Sequence, residues 1–255
     1  MNSLSPSSRA PGPPLAPPSR TAPTPGKTPS SSEPATAGKH VTIDLRGSER
    51  WLFVGKTGSG KSYLAKGLLR EMSRRGWPIV IVDPSAFWMG KNPKWDKGEG
   101  SIERPKLVTR FDPKARVQLY VPSIPGWADP GLDALMAGCM KRGKLVLYFD
   151  ETNGIVSASQ FSPWFARVVT QGRKHELAVW AATQRPTRVP EILLSQAENW
   201  AIFRVITPQD RKKIAEYTGS KVTAQQRLEP FYWFHWTQQS DDATLMAPIP
   251  KHGRL

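Results

Sequence analysis

The stretch Gly55-Lys56-Thr57-Gly58-Ser59-Gly60-Lys61-Ser62 has the form Gly, four residues, Gly-Lys-Ser. An apolar run, Trp51 to Val54, leads into it, and Leu64, Leu68 and Met72 follow at four-residue spacing up to Gly76. That spacing predicts a helix from about Ser62, so the octapeptide is a turn between a strand and a helix. Gly55, Gly58 and Gly60 permit backbone conformations that aim successive N–H groups at phosphate oxygens. Lys61 supplies a point charge for the β and γ phosphates, Ser62 a hydroxyl for Mg²⁺, and the new helix the positive end of its dipole. The whole loop, residues 55–62, is therefore expected to hold a nucleoside triphosphate, taken to be ATP, with Mg²⁺.

Outward from the loop, short apolar runs alternate with helical patterns. Pro78 to Val82 reads as a buried strand ending at Asp83, and Val117–Val121, Lys144–Phe149, Leu177–Ala182 and Trp200–Ile206 read as further strands. Between them, Leu132, Leu135, Met136 and Cys139 share one helical face, and Phe161, Trp164, Phe165 and Val168 define another. Thr207 before Pro208 marks the start of a third helix. Strands alternating with crossover helices predict an α/β fold, a mostly parallel sheet flanked by helices on both faces. Phe231–Trp236 and Thr244–Ile249, around a turn at 240–242, predict a C-terminal β-hairpin within 229–250. Pro248 confines its last strand to a sheet edge.

Residues 1–40 differ from the rest. Ten of the 25 prolines lie there, among Ser, Ala, Thr and Gly. Such a segment buries too little apolar surface to offset its ordering entropy, so a disordered basic tail is expected, with one domain spanning 41–255. The tail carries +3, leaving +12 of the net +15 on the domain. A surplus of that size points to a polyanionic partner. The single Cys139 excludes an internal disulfide and any multi-cysteine metal site. No window approaches the ~18 uninterrupted apolar residues of a membrane helix, and no secretory leader is seen, so a cytoplasmic location without membrane insertion is expected.

Asp150 and Glu151 close the strand at 144–149, which delivers them to the sheet edge where ligands bind in open α/β folds. Asp150 is expected to help hold Mg²⁺, and Glu151 to activate the attacking water as a general base. A water-activating glutamate favours hydrolysis over phosphoryl transfer to a metabolite. Gln184 ends the next strand at the same edge, where its amide can donate to the γ-phosphate and accept from water.

Together, GKTGSGKS at 55–62, LVLYFDE at 145–151 and AATQRP at 181–186 resemble the FtsK–HerA superfamily of DNA-pumping ATPases. Gly172-Arg173-Lys174-His175 and Phe203-Arg204 are similar to the family as well, and the likeness spans roughly 50–220. The resemblance implies a RecA-like P-loop core, assembly into a ring that is usually hexameric, and ATP-driven movement along double-stranded DNA. It also implies an arginine supplied to a neighbouring subunit, with Arg173 the first choice and Arg167 and Arg185 its rivals. A compact chain of this kind is most similar to the genome-packaging ATPases of tailless double-stranded DNA viruses and phages, which implies capsid or vertex partners and a virion-associated or host-cytoplasmic location. The alternatives are a HerA-like helicase or translocase of a host or plasmid, and a nucleotide-switched assembly factor. Residues 84–116 form a basic insertion with Trp88 and Trp95 among lysines. Lys91, Lys94, Lys97, Arg104 and Lys106 there are the expected DNA contacts, through phosphates and without sequence preference.

Overall fold

Strands buried on both faces read as unbroken apolar runs, and four segments of the sheet, Trp51–Val54, Ile79–Val82, Leu145–Phe149 and Leu177–Ala182, are of this kind. The computed structural model describes residues 43–89, 105–219, 222, 228–240 and 243–248. The basic tail, Lys91, Lys94, Trp95, Lys97 and Arg104 lie outside these residues. In chain order the elements are β1 (Trp51–Val54), α1 (Lys61–Arg74), β2 (Ile79–Val82), β3 (Lys106–Leu107), β4 (Val117–Tyr120), α2 (Pro130–Arg142) and β5 (Leu145–Phe149). Then follow α3 (Pro163–Gln171), β6 (Leu177–Thr183), α4 (Glu191–Gln196), β7 (Asn199–Ile202), α5 (Pro208–Thr218), β8 (Trp233–Thr237) and β9 (Thr244–Met246).

The nine described strands form one sheet in the order β3-β4-β2-β5-β6-β1-β7-β8-β9. Pairings from β3 through β7 are parallel, and only β7–β8 and β8–β9 are antiparallel. This is the expected α/β architecture with its terminal hairpin. The register sets Val54 of β1 beside Thr183 of β6, and Phe149 of β5 beside Ala181, so the three strands end at one edge.

Alternation along each strand divides the core. Leu52, Val54, Leu145, Leu147 and Phe149 face the side covered by α2, α3, α4 and α5, while Trp51, Phe53, Val146 and Tyr148 face α1. Each fully buried side chain of this size contributes about 1.5–3 kcal/mol relative to an exposed one. Three helices start on side-chain caps. Asp129 accepts from the Gly131 and Leu132 N–H groups, Ser162 from Phe165, and Thr207 from Asp210.

Several expectations shift. Phe161 lies before α3 rather than inside it, because Ser162 caps the helix and Pro163 occupies its first position. The last parallel strand stops at Ile202, not Ile206. Residues 84–116 hold a 3₁₀ turn at Phe87–Met89 and the short β3, which pairs with β4. The largest correction concerns Trp88, which the sequence places among the lysines of the basic insertion. It is only 3% exposed and packs edge-on against Tyr148, with ring centroids 5.7 Å apart.

The hairpin carries a pH-sensitive contact. His235 in β8 stacks on Trp51 (5.1 Å between centroids, 8° between planes), and its Nε2 lies 3.2 Å from Asn199 Oδ1. Burial lowers its pKa to about 4. An unfolded histidine titrates near ~6.5. Below that pH the unfolded chain gains a proton that the folded chain refuses until pH 4. The stabilisation is thus complete above pH ~6.5 and is lost on descending to pH 4, by at most about 3 kcal/mol. Thermal unfolding at pH 7.5 and pH 5 should show a drop of several degrees in Tm that shrinks in His235→Phe. An equal drop in both proteins assigns the acid lability elsewhere.

Candidate functional site

The loop expected to hold phosphate begins where β1 ends. Gly55 (φ +154), Gly58 (φ +74) and Gly60 (φ +112) all use backbone that side chains rarely adopt. At Gly55 a Cβ would also stand 2.6 Å from Phe203 Cβ, so no other residue fits there without movement. The Gly55 N–H bonds to Thr183 O and the Lys56 N–H to Arg204 O, which pins the loop between the ends of β6 and β7. Unlike α2, α3 and α5, α1 has no side-chain cap, and its first turn holds no acidic residue. Its first N–H groups remain for an anion. The Ser59 hydroxyl, buried and without a hydrogen-bond partner, is a further polar group in the loop.

Lys61 opens α1, and its Nζ donates to Gly55 O (2.7 Å) and Lys56 O (3.1 Å). Burial lowers its pKa, an effect that Glu151 and Asp150 oppose in part. Those two carboxylates follow β5. Asp150 is 7% exposed and shares the α1 face with Tyr148, two residues earlier. Its Oδ1 accepts from the Tyr148 hydroxyl (2.9 Å) and its Oδ2 from the Trp88 indole N–H (2.5 Å). Burial raises its pKa, while these two donors pull it down. Trp88 is itself placed by Asp83 at the end of β2, which accepts from the Trp88 and Ser85 N–H groups. The sequence reading missed Asp83, Trp88 and Tyr148 as supports of Asp150.

Glu151 sits in the left-handed region (φ 48, ψ 63), where a residue with a side chain costs about 1–2 kcal/mol. That turn brings its carboxylate to Gln184, the residue after β6. Gln184 Nε2 donates to Glu151 Oε2 (2.7 Å), and its Oε1 accepts from the Thr57 hydroxyl (2.6 Å). Gln184 therefore joins the glycine-rich loop to Glu151 directly. Asn153, which accepts from Thr183 Oγ1 (3.1 Å), lies 3.5 Å from Glu151 Oε1 through its amide nitrogen.

The donor set fits Mg²⁺. A serine hydroxyl and a carboxylate are hard oxygen ligands, and Mg²⁺ at phosphate sites takes one or two protein ligands besides phosphate and water. Among the described residues no group of three or more His, Cys, Asp or Glu is arranged as a metal cage. Ser62 and Asp150 could supply those oxygen ligands.

Of the three candidate arginines, Arg185 is set apart. Arg185 Nε donates to Asp210 Oδ2 (2.7 Å), whose side chain is 1% exposed and also accepts from the Thr187 and Thr207 hydroxyls. Arg185 is therefore committed to the start of α5. Arg173 is exposed and pairs with Glu198 (2.7 Å), and the Arg167 guanidinium lies 5.0 Å from the Trp164 ring. Lys106, in β3, is exposed and paired with Asp112 at 2.7 Å. No helix among the described residues is long and apolar enough to cross a membrane.

The family model of the central domain of the helicase HerA matches residues 35–86, a segment that contains β1, the loop and α1. No protein of curated function matches the chain in sequence. Among solved structures, the genome packaging NTPase B204 of Sulfolobus turreted icosahedral virus 2, in complex with AMP, aligns at TM-score 0.66 and 18% identity over 81% of this chain and 100% of that one. A complex of the same protein with ATP-gammaS aligns equally well, also at 0.66 and 18% identity over 81% and 100%. VirB4 of Thermoanaerobacter pseudethanolicus aligns at 0.60 and 10% identity over 82% and 93%. The segment around the glycine-rich loop is thus similar to the HerA central domain, and the chain has the fold that B204 and VirB4 share, in line with the expected α/β architecture.

Proposed function

We propose that this chain hydrolyses ATP and uses the energy to move double-stranded DNA, as a genome-packaging motor. One observation carries the hydrolytic half of this reading: the chain of contacts from Thr57 through Gln184 to Glu151, at the neighbouring ends of β1, β6 and β5. Residues 55–62 bind the triphosphate, Lys61 offsets its charge, and Ser62 with Asp150 holds Mg²⁺, which supplies electrostatic stabilisation of the transferring phosphoryl group. Glu151 accepts the proton of the attacking water, and Gln184 orients that water while touching the loop. Burial and the Tyr148 and Trp88 donors keep Asp150 in one orientation.

The DNA half rests on likeness and charge. B204 is a genome packaging NTPase of the same fold, and the domain carries +12 by sequence. Arg110, Lys114 and Arg116 of the 84–116 insertion are exposed beside Lys106, and we assign DNA-phosphate contact to this segment. Arg173, exposed in the turn just before β6, is the one we assign to a neighbouring subunit in a homo-oligomeric ring. The location that follows is the host cytoplasm or the virion, with capsid or vertex proteins as partners.

ATP turnover measured with and without long duplex DNA tests the motor. Stimulation should be independent of DNA sequence and should fall steeply between 50 and 200 mM salt, because phosphate contacts release counterions. Turnover that ignores DNA at low salt removes the motor reading. Stable ATP-dependent oligomers without DNA affinity would move it to a nucleotide-switched assembly factor.

A further inference from the structure

The sheet has a second edge, where its parallel strands begin. Four segments meet there: 71–78 from the end of α1 to β2, 113–116 before β4, 140–144 from the end of α2 to β5, and 172–176 before β6. They carry nine lysines and arginines against Glu71 and Glu176, a surplus of seven in a domain whose total is +12. We propose that this edge is a second contact for duplex DNA, made to its phosphates and continuous with the 84–116 segment. This rests on reading duplex DNA as the partner and is independent of the hydrolytic site.

Backbone pairing makes the four segments one surface. The Ile79 N–H donates to Arg116 O (2.8 Å), the Val146 N–H to Pro78 O (2.9 Å) and the Lys144 N–H to His175 O (3.0 Å). The Arg116 guanidinium reaches across to Ser73 O (3.0 Å). β4, β2, β5 and β6 are successive neighbours in the sheet. At about 4.8 Å per strand, they set the bases along roughly 15 Å. Asp83, Asp150 and Glu151 lie at the opposite ends of these strands, so a polyanion meets acids at one edge of the sheet and cations at the other.

All nine bases are exposed. Arg74 and Arg75 share Glu71, and Arg173 pairs with Glu198. The other six have no ion pair among the described residues. A cation in the last turn of a helix complements the helix dipole, which accounts for Lys141 and Arg142 in α2. Lys114, Arg116 and Lys144 lie outside any helix. Lys144 moreover adopts left-handed backbone (φ 46), where glycine would be unstrained, and still presents an exposed ammonium group. The four segments expose no large apolar side chain. Protein interfaces are enriched in aromatic residues and depleted of lysine, and single strands stack on aromatic faces. Cations without such anchors fit the phosphates of an intact duplex, which carry no sequence information.

Fluorescence anisotropy of two labelled duplexes of unrelated sequence, titrated with the full chain without nucleotide between about 50 and 200 mM salt, tests this. The triple variant Lys141→Gln, Lys144→Gln, Lys174→Gln changes only exposed side chains, so the core is untouched. It should bind both duplexes more weakly, and by the same factor. Its slope of log K against log salt should be shallower by about 2–3, near 0.9 for each lost phosphate contact. The triple arginine variant at the same positions should keep the wild-type slope. An unchanged slope in the glutamine variant overturns the surface and leaves DNA contact to the 84–116 segment alone. Unchanged DNA binding with lost binding to polyglutamate reassigns the edge to an acidic protein. Tighter binding of single strands than of duplex overturns the choice of duplex. If the wild type binds no DNA at low salt, the partner reading fails and this surface falls with it.

Discussion

Glu151→Gln is expected to bind ATP with an affinity within about threefold of the wild type and to hydrolyse it at least about 100-fold more slowly. The glutamine side chain has the same length and keeps one carbonyl oxygen for the Gln184 N–H, so the contact that joins β5 to β6 can persist. What it lacks is a site that takes a proton from water at neutral pH. A positioned general base is worth roughly 10²- to 10⁴-fold, which sets the lower bound of the effect. Single-turnover hydrolysis separates chemistry from product release, and calorimetry gives the affinity. Retention of more than a tenth of wild-type turnover would assign the base elsewhere.

Lys61→Ala is expected to remove nucleotide binding, with Kd rising by about 100-fold or more. Charge-assisted hydrogen bonds contribute roughly 1.5–3 kcal/mol each, and the ammonium group is placed to make more than one. Its present partners, Gly55 O and Lys56 O, are carbonyls of the loop itself, so the side chain also fixes the curvature of the loop. Stability should behave differently. Lys61 is a buried cation whose pKa is lowered by burial, so its removal also removes a desolvation cost. The thermal midpoint without nucleotide should therefore stay within a few degrees of the wild type, while the nucleotide-induced increase in Tm disappears. A variant that still gains several degrees with ATP would show that Lys61 does not carry the phosphate charge.

How far the molecule was legible in its sequence depended on distance along the chain. β1, β2, β5 and β6 are unbroken apolar runs, and the glycine-rich loop is a contiguous motif, so both could be read locally. Asp150 and Gln184 were placed by ending such runs at the same sheet edge. The contacts that give the site its geometry are not local. Trp88 reaches Asp150 across 62 positions, and Arg185 reaches Asp210 across 25. A tryptophan among lysines and prolines looks like surface until β2 and β5 are known to be neighbours, after which its indole has a carboxylate to bind. β3, two residues long, carries too little pattern to recognise. The left-handed turn at Glu151 was equally hidden, since glutamate carries no local preference for that backbone.

That turn sets the protein's chemistry against its durability. Glycine would relax the backbone at 151, and asparagine would tolerate it better than glutamate does. Either would also discard the carboxylate that faces Gln184. A search for heat-resistant variants guided by melting temperature alone is thus drawn toward position 151, and it will collect proteins that are sturdier and inert. Screens of this chain need turnover as a second criterion from the first round, because here a residue in strained backbone and the proposed base are the same one.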